Sequence, residues 1–209
     1  MARSSPNFSL PGWAILLGLL LLSRGSGKRR PAVSVAWTDD DMRAFRKAVE
    51  ASGVPLDAAL QVYAAESGLD AAASSGAAWG IAQITAQTLR GIGYGGDGPT
   101  FGTLSVADQA PWIGRLLKSQ VGYLGYTPQT AVELYAVNFW PKAAKTRENI
   151  IVVRDSKDAR EAAAYRGNAG LDAKKKGWIT RDDLRVRLEK FSKLPALVRA
   201  REQARRLAA

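Results

Sequence analysis

Apolar and polar positions alternate with a helical period over most of the chain after Trp37. The stretch "WTDDDMRAFRKAVEASG" predicts a helix with Thr38 as N-cap, three aspartates in its positive first turn and Gly53 as its stop. A second helix is expected from Pro55 to about Ser67, ended by Gly68. Ser75-Gly76 marks a loop, and a third helix is expected near Trp79 to Leu89. The run "GIGYGGDGPTFG" is too rich in permissive residues for either periodic structure and reads as irregular. In "SVADQAPWIGRLLKSQVGYL", Ser105 and Asp108 stand at capping-box spacing ahead of an apolar face. Thr127-Pro128 begins the next helix, which stops just before Pro141. Strand signals are confined to "NIIVV" at Asn149 to Val153. The pattern predicts a mainly α chain, with five short helices over residues 38–150 and about three more over 151–209.

A different pattern occupies the N-terminus, where an unbroken apolar run extends from Trp13 to Leu22. Counted from Phe8 it is fifteen residues, about 22 Å as a helix against about 30 Å of hydrocarbon. It reads as a membrane anchor or as a cleaved secretory signal. No A-x-A pattern follows Leu22, and Arg24, Lys28, Arg29 and Arg30 come at once. Without cysteine, a lipoprotein signal is excluded. The organisation expected is residues 1–30 as hydrophobic anchor or signal with a basic linker, 38–150 as the main domain and 151–209 as a basic helical tail.

The composition then narrows the chemistry. The chain has no His and no Cys, which excludes a Ser-His-Asp triad, a cysteine nucleophile, a structural zinc site and a disulfide scaffold. Any enzyme here works through carboxylates, and neither a metal nor a cofactor is expected. Charge is unevenly spread: six Lys/Arg stand against ten Asp/Glu from Trp37 to Trp140, and nineteen against nine from Pro141 to Ala209. The basic end suits nucleic acid, anionic lipid or an anionic wall polymer.

Glu66 is the acid whose surroundings are unusual. Helical spacing puts it on the face of Leu56, Ala59, Val62 and Tyr63. A carboxyl on a packed face loses hydration, which raises its pKa towards the range where it holds a proton at neutral pH. At these residues a resemblance emerges. "ESGLDAAASSGAAWGIAQIT" is similar to the catalytic segment of the soluble lytic transglycosylase family, lysozyme-like enzymes of peptidoglycan: Glu66-Ser67, then Gly76-Ala77, then Gly80-Ile81-Ala82-Gln83. The resemblance spans roughly residues 40 to 145. It implies a lysozyme-like fold, Glu66 as acid and base, Ser67 as a contact for the substrate N-acetyl group and Gln83 as part of the sugar groove.

Further on, "LYAVNFWP" occupies the place of the family's A-Y-N-A-G-P and carries Asn138 and Pro141 across. The family tyrosine before the asparagine, whose hydroxyl the resemblance implies helps orient the acid, is Val137 here. Either Tyr135, three positions before Asn138, or another group takes its part, or activity is reduced; Tyr135 packing in the core is the other reading of that residue. Trp79, Tyr94, Phe101 and Trp140 are candidates for sugar-stacking walls or for core. Asp70 reads as a loop-ordering residue. The activity implied is cleavage between N-acetylmuramic acid and N-acetylglucosamine to 1,6-anhydro products, with glycan strands as partner and Glu66 as the one protein carboxylate needed. Hydrolases of the common kind use two carboxylates; the alternatives here are a muramidase of the goose-lysozyme kind, which uses water, and a non-catalytic basic protein that binds DNA or wall polymer.

Two further readings concern the ends of the chain. In "NAGLDAKKKGWITRDDL", Asp172, Gly177, Ile179 and Asp183 fall at positions one, six, eight and twelve of an EF-hand-type loop, while Lys174 and Lys176 stand where oxygen ligands belong, so calcium binding is not expected. A plain helix-turn-helix fits as well. At the N-terminus, the positive residues after the apolar run would leave an anchored domain on the cytoplasmic side. A cleaved signal resolves this, and so does storage in a phage particle. Membrane association, at the periplasmic face of the envelope or in a virion, is the expected location.

Overall fold

A computed structural model describes residues 36–208 of the chain. The apolar run and its reading as anchor or signal lie outside the described residues. Among these, no helix is long and apolar enough to cross a membrane. The described chain is mainly helical, with ten α-helices and two small antiparallel sheets of two strands each.

Helix α1 (Asp39–Glu50) starts as its sequence dictates. The Thr38 side chain accepts from Asp41 N, and the Asp41 side chain accepts from Thr38 N. Asp41 also accepts from Ala107 N at 3.0 Å, which ties this end to the start of α5 (Val106–Leu124). Met42, Phe45 and Val49, three or four residues apart, carry α1 into the core along α5. Helix α2 (Leu56–Ser67) follows Pro55 and ends at Gly68, whose φ of 72° gives the left-handed turn expected there.

The expected third helix from Trp79 does not form. Ala78–Trp79 (β1) and Ile84–Thr85 (β2) pair as a tight hairpin, and helix begins only at α3 (Ala86–Gly91), capped by Thr85. Gly80, at φ 76°, shows why: a side chain at this position would meet the Gln109 amide oxygen at 2.4 Å and the Phe101 ring at 2.7 Å. Only glycine allows this turn to press so closely on α5. The glycine-rich stretch after α3 is less irregular than expected, since Asp97 caps a single helical turn, α4 (Gly98–Phe101).

Helix α6 (Ala131–Phe139) begins three residues later than Pro128, because Thr130 and Glu133 form the capping box. It stops before Pro141 as expected, and Pro141 opens α7 (Pro141–Thr146). The region expected to hold five helices therefore holds seven, α4 and α7 being the additions. "NIIVV" does form a strand, β3 (Ile150–Val153), paired with β4 (Trp178–Thr180). Three helices complete the chain: α8 (Ala159–Gly167), α9 (Arg181–Phe191) and α10 (Pro195–Arg206).

These last helices share the core of the first seven. Leu184 and Leu188 of α9 and Leu197, Ala200 and Ala204 of α10 belong to the same buried cluster as Phe45, Tyr63 and Tyr135. Helix α9 packs on α2 and α6, and α10 on α1 and α2. Charge reinforces the fit, because Arg201 pairs with Asp57 at 2.6 Å and Arg206 with Asp39 at 2.6 Å, each acid lying in a helical first turn. The loop before α9 keeps an EF-hand-like turn. Asp172 accepts from the N–H groups of Lys176 and Gly177 and from the Tyr165 hydroxyl. The Lys176 ammonium stands 3.5 Å from Asp172 and 2.9 Å from Asp183, bridging the first and last positions with its own charge.

Candidate active site

Glu66 is the penultimate residue of α2, directly before the left-handed exit at Gly68. The turns beneath it are apolar: Ala59, Val62 and Tyr63 are fully buried, with Leu56 partly so. The Glu66 side chain as a whole is partly buried, but its Oε1 oxygen is covered and has no hydrogen-bond partner among the described residues. Desolvation is the largest influence on it and pushes its pKa up to about 7, against the Arg187 charge and the neighbouring Tyr135 hydroxyl, which favour the ionised form. A carboxyl in that range is populated in both protonation states at neutral pH, as a group that donates and then removes a proton requires.

Three helices converge on this carboxyl. Helix α6 brings the buried Tyr135, and α9 brings Arg187, whose Nε donates to the Tyr135 hydroxyl at 2.8 Å. The Arg187 Nη2 makes a longer contact of 3.4 Å to the carbonyl of Ala65, the residue before Glu66. Burial raises the Tyr135 pKa, as does the neighbouring Glu66 charge, so its hydroxyl stays protonated. Tyr63, one turn before Glu66, also has a buried hydroxyl, and that hydroxyl has no partner among the described residues.

The remaining candidates lie around this centre in different roles. The single Ser67 hydroxyl proton is shared between the carbonyls of Tyr63 at 3.1 Å and Ile81 at 2.8 Å, and its oxygen accepts from Leu69 N, so it ties the end of α2 to the hairpin. Gln83, buried and in the left-handed region at φ 46°, donates to the carbonyls of Ala73 at 3.1 Å and Gly80 at 2.9 Å, which closes the loop on itself. Trp79 lies partly buried against Gly98, where any Cβ would fall within 2.1 Å of its ring. Asp70 accepts from Ala72 N at 2.9 Å and orders the loop, as expected. Asn138 is partly exposed and accepts from Gln120 Nε2 at 2.7 Å, and Val137 is fully buried. Glu66 and Tyr135 are thus brought together, while the described hydrogen bonds of Ser67, Gln83 and Asn138 go to other groups. Two surface cavities, of about 410 and 590 Å³, are lined by neither Glu66 nor Tyr135.

Two residues of the site were not singled out by the sequence. Gln109 is fully buried, accepts from Ile81 N at 2.9 Å and donates to the carbonyls of Ala71 at 2.8 Å and Leu104 at 3.1 Å, so it pins the segment after Glu66 to α5. Its signal is an amide among the apolar positions Val106, Ala110 and Ile113 of one helix face. Arg187 carries a similar mark, a cation between Leu184 and Leu188 on the buried side of α9. Comparison of the chain with protein-family models, with curated proteins and with solved structures found no match.

Proposed function

We infer that the chain is a peptidoglycan lytic transglycosylase built on a lysozyme-like helical domain, with Glu66 as its acid and base. The observation that carries this reading is the Glu66 carboxyl itself, with a covered and unpaired oxygen, a neutral-range pKa and the Tyr135 hydroxyl beside it. Tyr135 takes the part of the family tyrosine that Val137 replaces. Protonated Glu66 gives its proton to the glycosidic oxygen between N-acetylmuramic acid and N-acetylglucosamine, and the bond from that oxygen to the muramyl C1 breaks. The muramyl N-acetyl group stabilises the positive C1. The sugar's own C6 hydroxyl then bonds to C1 while ionised Glu66 takes its proton, which restores the acid and leaves a 1,6-anhydro ring. No water is consumed and one protein carboxylate suffices. Asp70, engaged with Ala72 N, is free of any catalytic duty in this scheme.

Exposed lysines and arginines such as Lys174, Lys175, Lys190, Lys193 and Arg205 add attraction to anionic wall polymer. The N-terminal apolar run attaches the protein to a membrane, at the periplasmic face of an envelope or in a phage particle, or is removed as a signal. Digestion of purified sacculi with the full chain, followed by mass spectrometry of the released muropeptides, tests the reading. Anhydromuropeptides are expected. Products with ordinary reducing ends would make it a muramidase instead, and no release at any pH would leave a binding protein.

A further inference from the structure

Glu66 must serve twice in the reaction inferred above, and the two duties pull in opposite directions. Desolvation makes it a good acid, but a carboxyl that holds its proton too tightly is a poor base for the second step. Something has to limit the effect of burial. Within α2 the nearest titratable group is Tyr63, whose buried hydroxyl has no partner among the described residues. From α6 comes Tyr135, and from α9 Arg187, the one cation acting on Glu66 among the described residues. Of the cations on the other helices packed on α2, Arg201 of α10 pairs with Asp57 at the far end of α2, and Arg46 of α1 donates to the carbonyl of Ala204 and lies 3.9 Å from Glu50.

The direction of the hydrogen bonds is informative. A tyrosine hydroxyl has one proton to give and can accept in addition. Arg187 Nε has only a proton to give, so in the 2.8 Å contact Tyr135 is the acceptor. The tyrosine's own proton is therefore left for another acceptor, and the neighbouring Glu66 carboxyl, whose charge acts on this hydroxyl, is a group able to take it. The order runs from guanidinium to phenol to carboxyl. Arg187 is itself held, by Nη2 on the Ala65 carbonyl and by stacking 5.3 Å over the Phe191 ring.

We propose that Arg187 is a positioning residue of this centre, supplied by the C-terminal helices: it fixes the direction of the Tyr135 hydroxyl towards Glu66 and sets a positive charge beside the carboxyl. The proposal rests on Glu66 being the acid and base, and it makes residues beyond 150 part of the chemistry as well as of the wall-binding surface.

The test is a titration of the Glu66 carboxyl in the full chain by carbon-13 NMR, assigned by its disappearance in Glu66→Gln, with sacculus digestion run on the same samples. The wild-type midpoint is expected near neutrality. Arg187→Met should move it up by about one pH unit or more, the size of effect a neighbouring opposite charge exerts. The alkaline limb of the activity profile should move with it. Arg187→Lys, which keeps the charge, should hold the midpoint close to that of the wild type. Where Arg187→Met does not fold, Arg187→Gln, which keeps a donor for Tyr135 while removing the charge, should give the same upward shift. A midpoint unmoved when the charge is removed, or moved as far in Arg187→Lys as in Arg187→Met, overturns the proposal. A midpoint that moves as expected while no form of the protein releases muropeptides supports the positioning role and defeats the lytic reading of the site.

Discussion

At the scale of single residues, the Glu66 carboxyl has a consequence for stability that can be measured apart from any activity. Its pKa rises on folding from an ordinary 4.5 to about 7. Between those values the folded chain keeps a proton that the unfolded chain has released, so this group's contribution is full below the lower value and is lost as pH rises through about 7. The shift corresponds to at most about 3 kcal/mol. Glu66→Gln should therefore melt above the wild type at pH 8 and close to it at pH 4, as thermal unfolding followed by circular dichroism would record. Equal melting temperatures at both pH values would mean that Glu66 is ordinarily solvated. Glu66 was legible in the sequence because its apolar neighbours recur at helical spacing along one short helix. Arg187 was not, since it lies 52 residues from Tyr135 and 122 from Ala65, and only tertiary packing brings them together.

Among the elements, the hairpin after α2 shows where periodicity misleads. "AAWGIAQIT" has the apolar spacing of a helix, yet Gly80 and Gln83 both adopt left-handed backbone, and the segment folds back as β1 and β2. Gln109 favours this by offering Ile81 N–H a side-chain acceptor in place of a backbone carbonyl four residues back. Gln109→Leu would leave that N–H and the carbonyls of Ala71 and Leu104 without their partner, at about 1–3 kcal/mol for each buried group left unmade. The variant should unfold at clearly lower urea concentration and lose most of its muropeptide release, because Ser67 is tied to the same loop through the Ile81 carbonyl. A wild-type urea midpoint would show that the hairpin does not depend on Gln109. Three helix starts were readable, because Thr38, Ser105 and Thr180 declare themselves by side chains that reach only three residues along the chain, whereas the starts expected at Trp79 and Thr127 moved to Ala86 and Ala131.

For the whole molecule, the uneven charge has a second meaning beyond attraction to anionic polymers. Part of the basic excess after Pro141 is engaged within the chain itself, with Arg201 and Arg206 on the acidic first turns of α2 and α1 and Arg187 on the Glu66 centre. The apolar faces of α9 and α10 complete the core, and burial of Leu184, Leu188 and Leu197 alone contributes roughly 5–9 kcal/mol, comparable to the net stability of a domain. A chain ending at Ser156 should accordingly lose its cooperative thermal transition. A truncated chain that melts like the wild type would make the C-terminal helices dispensable.

Glu66 is the residue on which the proposed chemistry turns, and its role is measured by the release of anhydromuropeptides from sacculi by the wild-type protein and by Glu66→Gln. Glutamine keeps the size of the side chain and cannot transfer a proton, so the variant should fold, bind sacculi as the wild type does and release anhydromuropeptides at least about 100-fold more slowly. A folded Glu66→Gln protein with near-normal release would contradict the assignment of Glu66 as the catalytic acid and base.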